Sequence, residues 1–247
     1  MTAFPFDSLV SLATPAGLAA PATPASSAIS ARDILAAPLY ERVRPRYYRL
    51  MTELRRHRRM RLSPHVSILF ECRETVLCQI HEVLRIEGHS PAHVQREIEQ
   101  YACLVPQRGE LRACVMIDDG TRDECLALAA ALRRPGAVML TLDAMRCGST
   151  ILSATGDPDD AVHYLRLRPA PGFASALRRP AAALELALHA GERRFVTFAH
   201  HGLRAQLQSD LGPPPPRSRP CGGSPRRRSA SAGARTSPSR PCGARSR

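Results

Sequence analysis

Residues 65–88 read HVSILFECRETVLCQIHEVLRIEG, and their hydrophobic pattern changes period once. His65–Phe70 is rich in Val, Ile, Leu and Phe and predicts a strand. From Arg73 to Glu87 the apolar residues Val76, Ile80, Val83 and Leu84 recur at helical spacing, with Gly88 as the stop. One short stretch therefore commits the chain to both strand and helix. The junction lacks a glycine-rich loop to admit phosphate, which argues against a nucleotide enzyme.

Working outward, Ser30-x-x-Asp33 is a capping-box-like start to a short helical turn. A helix is expected after Pro45, with Tyr47, Leu50, Met51 and Leu54 at helical spacing, broken at Ser63-Pro64. Its end carries Arg55, Arg56, His57, Arg58, Arg59 and Arg61, and cations suit a helix C-terminus. Ser90-Pro91 opens another helix, with Val94, Ile98 and Tyr101 on one face. Ala113–Ile117 reads as a strand, and Thr121-x-x-Glu124 caps a helix through Leu132. Strands are expected at Val138–Leu142, Ala161–Leu167, Leu184–Leu188 and Phe195–Ala199, with a loop over 148–160 and a closing helix at Leu203–Leu211. Pro180–Ala183 is equally compatible with a helix start. Several connections look too short for parallel crossovers. The expectation is one α+β domain over residues 29–212, with a mixed, mainly antiparallel sheet of five or six strands and flanking helices.

The ends differ in composition. Residues 1–28 are rich in Ala, Pro, Ser and Thr with one charge, Asp7, and read as a flexible leader. Residues 213–247 contain no Leu, Ile, Val, Met, Phe, Tyr or Trp, so nothing offsets the ordering of their backbone, and disorder is expected. This tail reads as a polycationic arm or, preferentially, as a frameshifted end of a GC-rich coding sequence. It also holds nine of the 35 Arg and no acidic residue, so the formal charge of +13 falls to +4 over residues 1–212. No apolar run nears the roughly 20 residues of a membrane span, which excludes a transmembrane helix. The eight Cys form no C-x-x-C pair or zinc-finger spacing, and six of them sit in apolar surroundings. Cys72 and Cys78, six apart, are expected on different sides of the helix. No Arg precedes Arg32, so the charged start of a secretory signal is absent, and a cytoplasmic, reduced protein is expected.

Three constellations offer chemistry. On the 73–87 helix Thr75, Gln79, Glu82 and Ile86 fall along a stripe, and Glu82 with Arg85, or Arg85 with Glu71, can pair. Such a stripe suits a ligand or partner contact, and equally a polar face held by local charge pairs. Residues 41–61 hold nine Arg against Glu41 and Glu53. There Tyr47, Arg55, Arg56, Arg58, Arg59 and Arg61 form an alternative nucleic-acid contact, although no recognised nucleic-acid motif is present. Nine His include His89-x-x-x-His93, but Pro91 puts His89 before the helix. A metal-dependent enzyme would draw on Glu71, Glu82 and a nearby His. No complete catalytic, metal or cofactor motif occurs.

The stretch Ile68–Glu87 resembles the hallmark of an uncharacterised bacterial family, domain of unknown function 3501. Tyr40-Glu-Arg-Val-Arg-Pro45, Leu62-Ser-Pro-His65, Ala161-Val-His-Tyr-Leu-Arg166, His189 and Ser209-Asp-Leu211 extend the likeness over about residues 29–212. Positions matching the pattern are Glu71, Arg73, Thr75, Gln79, Glu82, Arg85 and Glu87, and the first six are the candidate binding residues. Cys72 and Cys78 depart from the family's usual Asn and aromatic, and Ala190-Gly191 replaces its Pro and Tyr after His189. The family's activity is not established. Its members are often encoded beside rubrerythrin-like and iron–sulfur oxidoreductase proteins. The resemblance thus implies an accessory or binding protein in a redox or oxidative-stress setting, with such proteins as partners.

Overall fold

The computed structural model describes residues 28–212, apart from Asp119 and 154–160. The readings made for the leader and the tail lie outside these residues. A 3₁₀ turn at Ala31–Asp33 leads into α1 (Ala37–Arg58), β1 (Arg59–Ser63), β2 (Val66–Phe70), α2 (Arg73–Glu87) and α3 (Pro91–Tyr101). Then come β3 (Leu111–Ile117), α4 (Arg122–Leu132), β4 (Val138–Leu142), β5 (Met145–Ser153) and β6 (Val162–Leu167). A short α5 (Phe173–Ala176), β7 (Leu184–Ala190), β8 (Arg193–Phe198) and α6 (His201–Leu211) complete the order.

All eight strands join one sheet in the order β1-β2-β3-β6-β5-β4-β7-β8, and every pairing is antiparallel. Its two ends come together, so the sheet is nearly closed as a barrel. This corrects the expectation of five or six strands in a mixed sheet. The two strands that periodicity missed are β1 and β5. In β1 the sequence Arg-Met-Arg-Leu alternates exposed Arg with buried Met60 and Leu62, but the arginines read as the end of the preceding helix. In β5 Gly148 and Ser149 interrupt the strand ahead of Thr150 and Ile151, and the hairpin from β4 turns at Asp143-Ala144 without a glycine. Asp143 itself takes the left-handed conformation, φ 53°, that glycine usually supplies. Helix α1 likewise begins before Pro45, at Ala37, and carries that proline in its interior.

The strands' inward residues fill the barrel. Val66, Ile68, Phe70, Ala113, Val115, Val138, Leu140, Leu165, Leu186 and Leu188 are buried in a single cluster. The interior is therefore a packed core, and any site must lie outside it. Helices α1, α2 and α3 supply two further apolar clusters, which explains why β2 is buried along its whole length instead of alternating. Cys72 and Cys78 share the cluster of Tyr40, Tyr47, Met51 and Leu54, so they converge rather than pointing to different sides. Cys72 sits at the N-cap, where its backbone is extended, so the helical angle does not apply to it. No described helix is long and apolar enough to cross a membrane.

Candidate functional site

The outer face of the sheet bears a cross-strand row. Arg59 on β1 pairs in register with Leu69 on β2, Leu69 with Cys114 on β3, and Cys114 with Tyr164 on β6. Leu69 and Cys114 are buried, whereas Arg59 is exposed and Tyr164 half-buried. Gln79 interacts with Tyr164 and with Tyr101 of α3, and both phenols also sense Cys114. Gln79, Tyr101 and Tyr164 are all half-buried, and the two tyrosines pack against the apolar cluster of Val76, Leu77, Ile80 and Ile98.

Glu71, the first residue after β2, is 3% exposed. Burial raises its pKa, against the opposing pull of the Thr75 hydroxyl and of Arg55, Arg58 and Arg59. Thr75 Oγ1 donates to Glu71 Oε2 and accepts from the Cys72 backbone N–H at 2.9 Å, so one hydroxyl caps α2 and holds the acid. Burial pushes the Cys114 thiol up to about 12, with Glu71 adding to the effect. It raises Tyr164 to about 12 as well. These thiol and phenol groups stay protonated at neutral pH and offer hydrogen bonds, not nucleophiles.

The other hallmark residues are turned to internal partners. Glu82 accepts from the Tyr40 hydroxyl at 2.6 Å and from Arg44 Nε and Nη2 at 2.7 and 2.9 Å. Arg44 lowers the Glu82 pKa to about 2, with Tyr40 assisting. Arg85 lies 3.5 Å from the same carboxylate. Arg73 Nη2 donates to Asp33 at 2.6 Å, fastening the 3₁₀ turn to α2. Of the six candidate binding residues, Glu71 and Thr75 are buried and bonded to each other, and Gln79 is the one that meets Tyr101 and Tyr164. Sequence reasoning missed Tyr101, Tyr164 and Cys114 because they come from separate elements, and only the strand register brings them together.

His81 is buried and stacked on Tyr40, with ring centroids 4.6 Å apart. Its Nε2 accepts from the Leu35 backbone N–H at 3.0 Å, so the proton sits on Nδ1, which donates to the Leu77 carbonyl at 2.9 Å. Both nitrogens are occupied. Glu71, Glu82 and His81 thus face different partners, and the described residues bring no three His, Cys, Asp or Glu together as a metal site.

The alternative nucleic-acid residues are dispersed too. Tyr47 is buried. Arg58 is 3% exposed and binds Asp210 of α6 through two bonds of 2.8 Å. Arg56 pairs with Glu53 at 2.9 Å, and Arg61 lies 3.9 Å from Asp118. Arg55 turns inward to the Cys78 thiol, while Arg59 touches the Met116 sulfur at 3.1 Å. They form no single surface.

A family profile described as protein of unknown function (DUF3501) matches residues 28–211. The chain belongs to the DUF3501 family. No curated protein matches it. Among solved structures, this DUF3501 chain is similar to a novel protein of unknown function from Burkholderia pseudomallei, with a TM-score of 0.66 and 23% identity. The match covers 74% of this chain and 99% of that one. At that identity the likeness concerns the fold alone.

Proposed function

We propose that this DUF3501 protein is a cytoplasmic accessory component of a bacterial redox system, binding a partner or ligand at the half-buried surface of Gln79, Tyr101 and Tyr164 instead of performing the chemistry. The observation that carries this reading is Gln79, poised between the two half-buried phenols Tyr101 and Tyr164 above Cys114. An amide and two half-buried phenols are groups of recognition. The groups that acid–base or metal chemistry would recruit from the hallmark helix, Glu82 and His81, are already engaged inside the protein. The redox setting and the rubrerythrin-like or iron–sulfur oxidoreductase partners come from the family resemblance.

The test is calorimetric titration of the full chain with a purified rubrerythrin-like protein and, separately, with an iron–sulfur oxidoreductase. One of them is expected to bind at micromolar concentration, with Gln79→Ala and Tyr164→Ala weakening it at least tenfold. No binding of either partner at that concentration removes the reading.

A further inference from the structure

The outward face of the sheet carries a second cross-strand row. Arg112 on β3 pairs in register with Arg166 on β6, and Arg166 with Thr150 on β5. Leu111, Ala113, Leu165 and Leu167 beside them belong to the core cluster, so both arginines project outward, directly opposite each other. Like charges opposed in this way repel. Glu110 resolves only part of the conflict. Its Oε1 accepts from Arg112 Nε at 2.9 Å, from Arg112 Nη2, and from the Gln107 backbone N–H at 3.2 Å. Its Oε2 accepts from Arg168 Nε at 3.3 Å. One buried carboxylate thus draws Arg112 and Arg168 to a single point. The next acid, Glu71, whose backbone N–H donates to the Arg112 carbonyl, has its own side chain taken up by Thr75.

Two donors on this row are left without an acceptor. The Arg112 side chain is only 9% exposed, yet its Nη1 is enclosed with no hydrogen-bond partner. With Nε and Nη2 on Glu110, the rigid fork turns Nη1 away from that carboxylate. Arg166 is half-buried, and no acceptor among the described residues meets its guanidinium. Thr150 donates to the Arg166 backbone carbonyl at 3.4 Å and leaves the side chain untouched. A guanidinium only donates, so the two arginines cannot satisfy each other. Removing such groups from water unmatched is costly, and an oxyanion offers acceptors to both at once.

We propose that Arg112 Nη1 and Arg166 hold a small oxyanion between them, with Glu110 positioning Arg112. The anion enters past Arg166, which no side-chain bond pins in place, from the exposed end of the row at Thr150. This site is distinct from the partner surface of Gln79, Tyr101 and Tyr164 and does not rest on it, although Tyr164 lies two positions from Arg166 on the same face of β6.

Inorganic sulfate is the probe, titrated into the full chain at neutral pH by calorimetry, with sodium chloride holding ionic strength constant. Saturable binding is expected, weakened at least tenfold in Arg166→Gln and in Arg112→Met, and less than threefold in Arg168→Gln, since Arg168 is exposed and bonded to Glu110 alone. Acetate in place of sulfate separates a preference for tetrahedral oxyanions from one for carboxylates, and saturable binding of either supports the site. If Arg112→Met does not fold, Arg166→Gln and Arg168→Gln decide between them, because neither residue belongs to the core cluster. Absence of saturable binding by both anions, unchanged affinity in Arg166→Gln, or an equal loss in Arg168→Gln, the mark of a diffuse positive surface, overturns the proposal. None of these outcomes affects the partner titration with Gln79→Ala and Tyr164→Ala, so the two readings fail separately.

Discussion

His81 is the residue whose surroundings fix its chemistry most completely. Stacked on Tyr40 and bonded through both nitrogens, it has its pKa pushed down to about 4 by burial, against the pull of the Leu77 carbonyl. The unfolded chain takes up that proton near pH 6.5, so between 6.5 and 4 it binds more protons than the folded protein. Stability contributed by the neutral ring is complete above about pH 6.5 and declines as pH falls towards 4. We expect the urea midpoint to drop by the equivalent of a few kcal/mol across that window. His81→Gln is expected to lower the midpoint at pH 7 and to flatten the decline. A decline of unchanged size in the variant would place its origin elsewhere. Little of this was legible in the sequence. His81 stood on a predicted helix, but its partners Leu35 and Tyr40 lie more than forty positions away. Glu82 was legible as a residue that pairs, yet its chief partner is Arg44 of α1 and not the adjacent Arg85.

Between elements, the Arg58–Asp210 pair joins the last turn of α1 to the end of α6, across 152 positions. Asp210 sits in the resembling stretch Ser209–Leu211, and the pair supplies its physical role. Arg58 is nearly inaccessible to water, so removing the carboxylate leaves a buried cation with only the Phe70 and Glu71 carbonyls, at 3.4 and 3.5 Å, to accept from it. Asp210→Ala is expected to cost about 3–5 kcal/mol, read as a shift in the denaturant midpoint at constant slope. The double variant Arg58→Met/Asp210→Leu is expected to recover much of that loss, since an apolar pair carries no desolvation penalty. Recovery is the discriminating result; equal loss in both would mean that packing, not charge, is at stake. Element types followed local periodicity wherever one face was apolar, as in α2, α3 and β3. The failures came where two elements share one signal. The arginines of 55–61 satisfy a helix end as well as they decorate the exposed side of β1.

For the whole molecule, the barrel core is the principal store of stability. Leu140 lies on β4 with no solvent exposure, packed among side chains of several strands. Leu140→Ala is expected to cost about 2–5 kcal/mol by urea unfolding, with a single cooperative transition retained. A loss below about 1 kcal/mol would show that the interior readily collapses around the missing side chain. Antiparallel pairing was legible from short connections, but closure was not. Strand count and curvature depend on β1 reaching around to β8, a non-local meeting that no window of sequence contains.

That meeting also governs how the molecule can deform. Seven ladders lace the strands together, and the eighth junction, between β1 and β8, carries no ladder. A fully laced hoop has a fixed girth, because widening it means tearing a row of backbone bonds. This one can loosen at its seam without sacrificing any ladder. Since β1 brings Arg59 to the seam, a shift there moves one end of the cross-strand row while its other end stays anchored on β3 and β6.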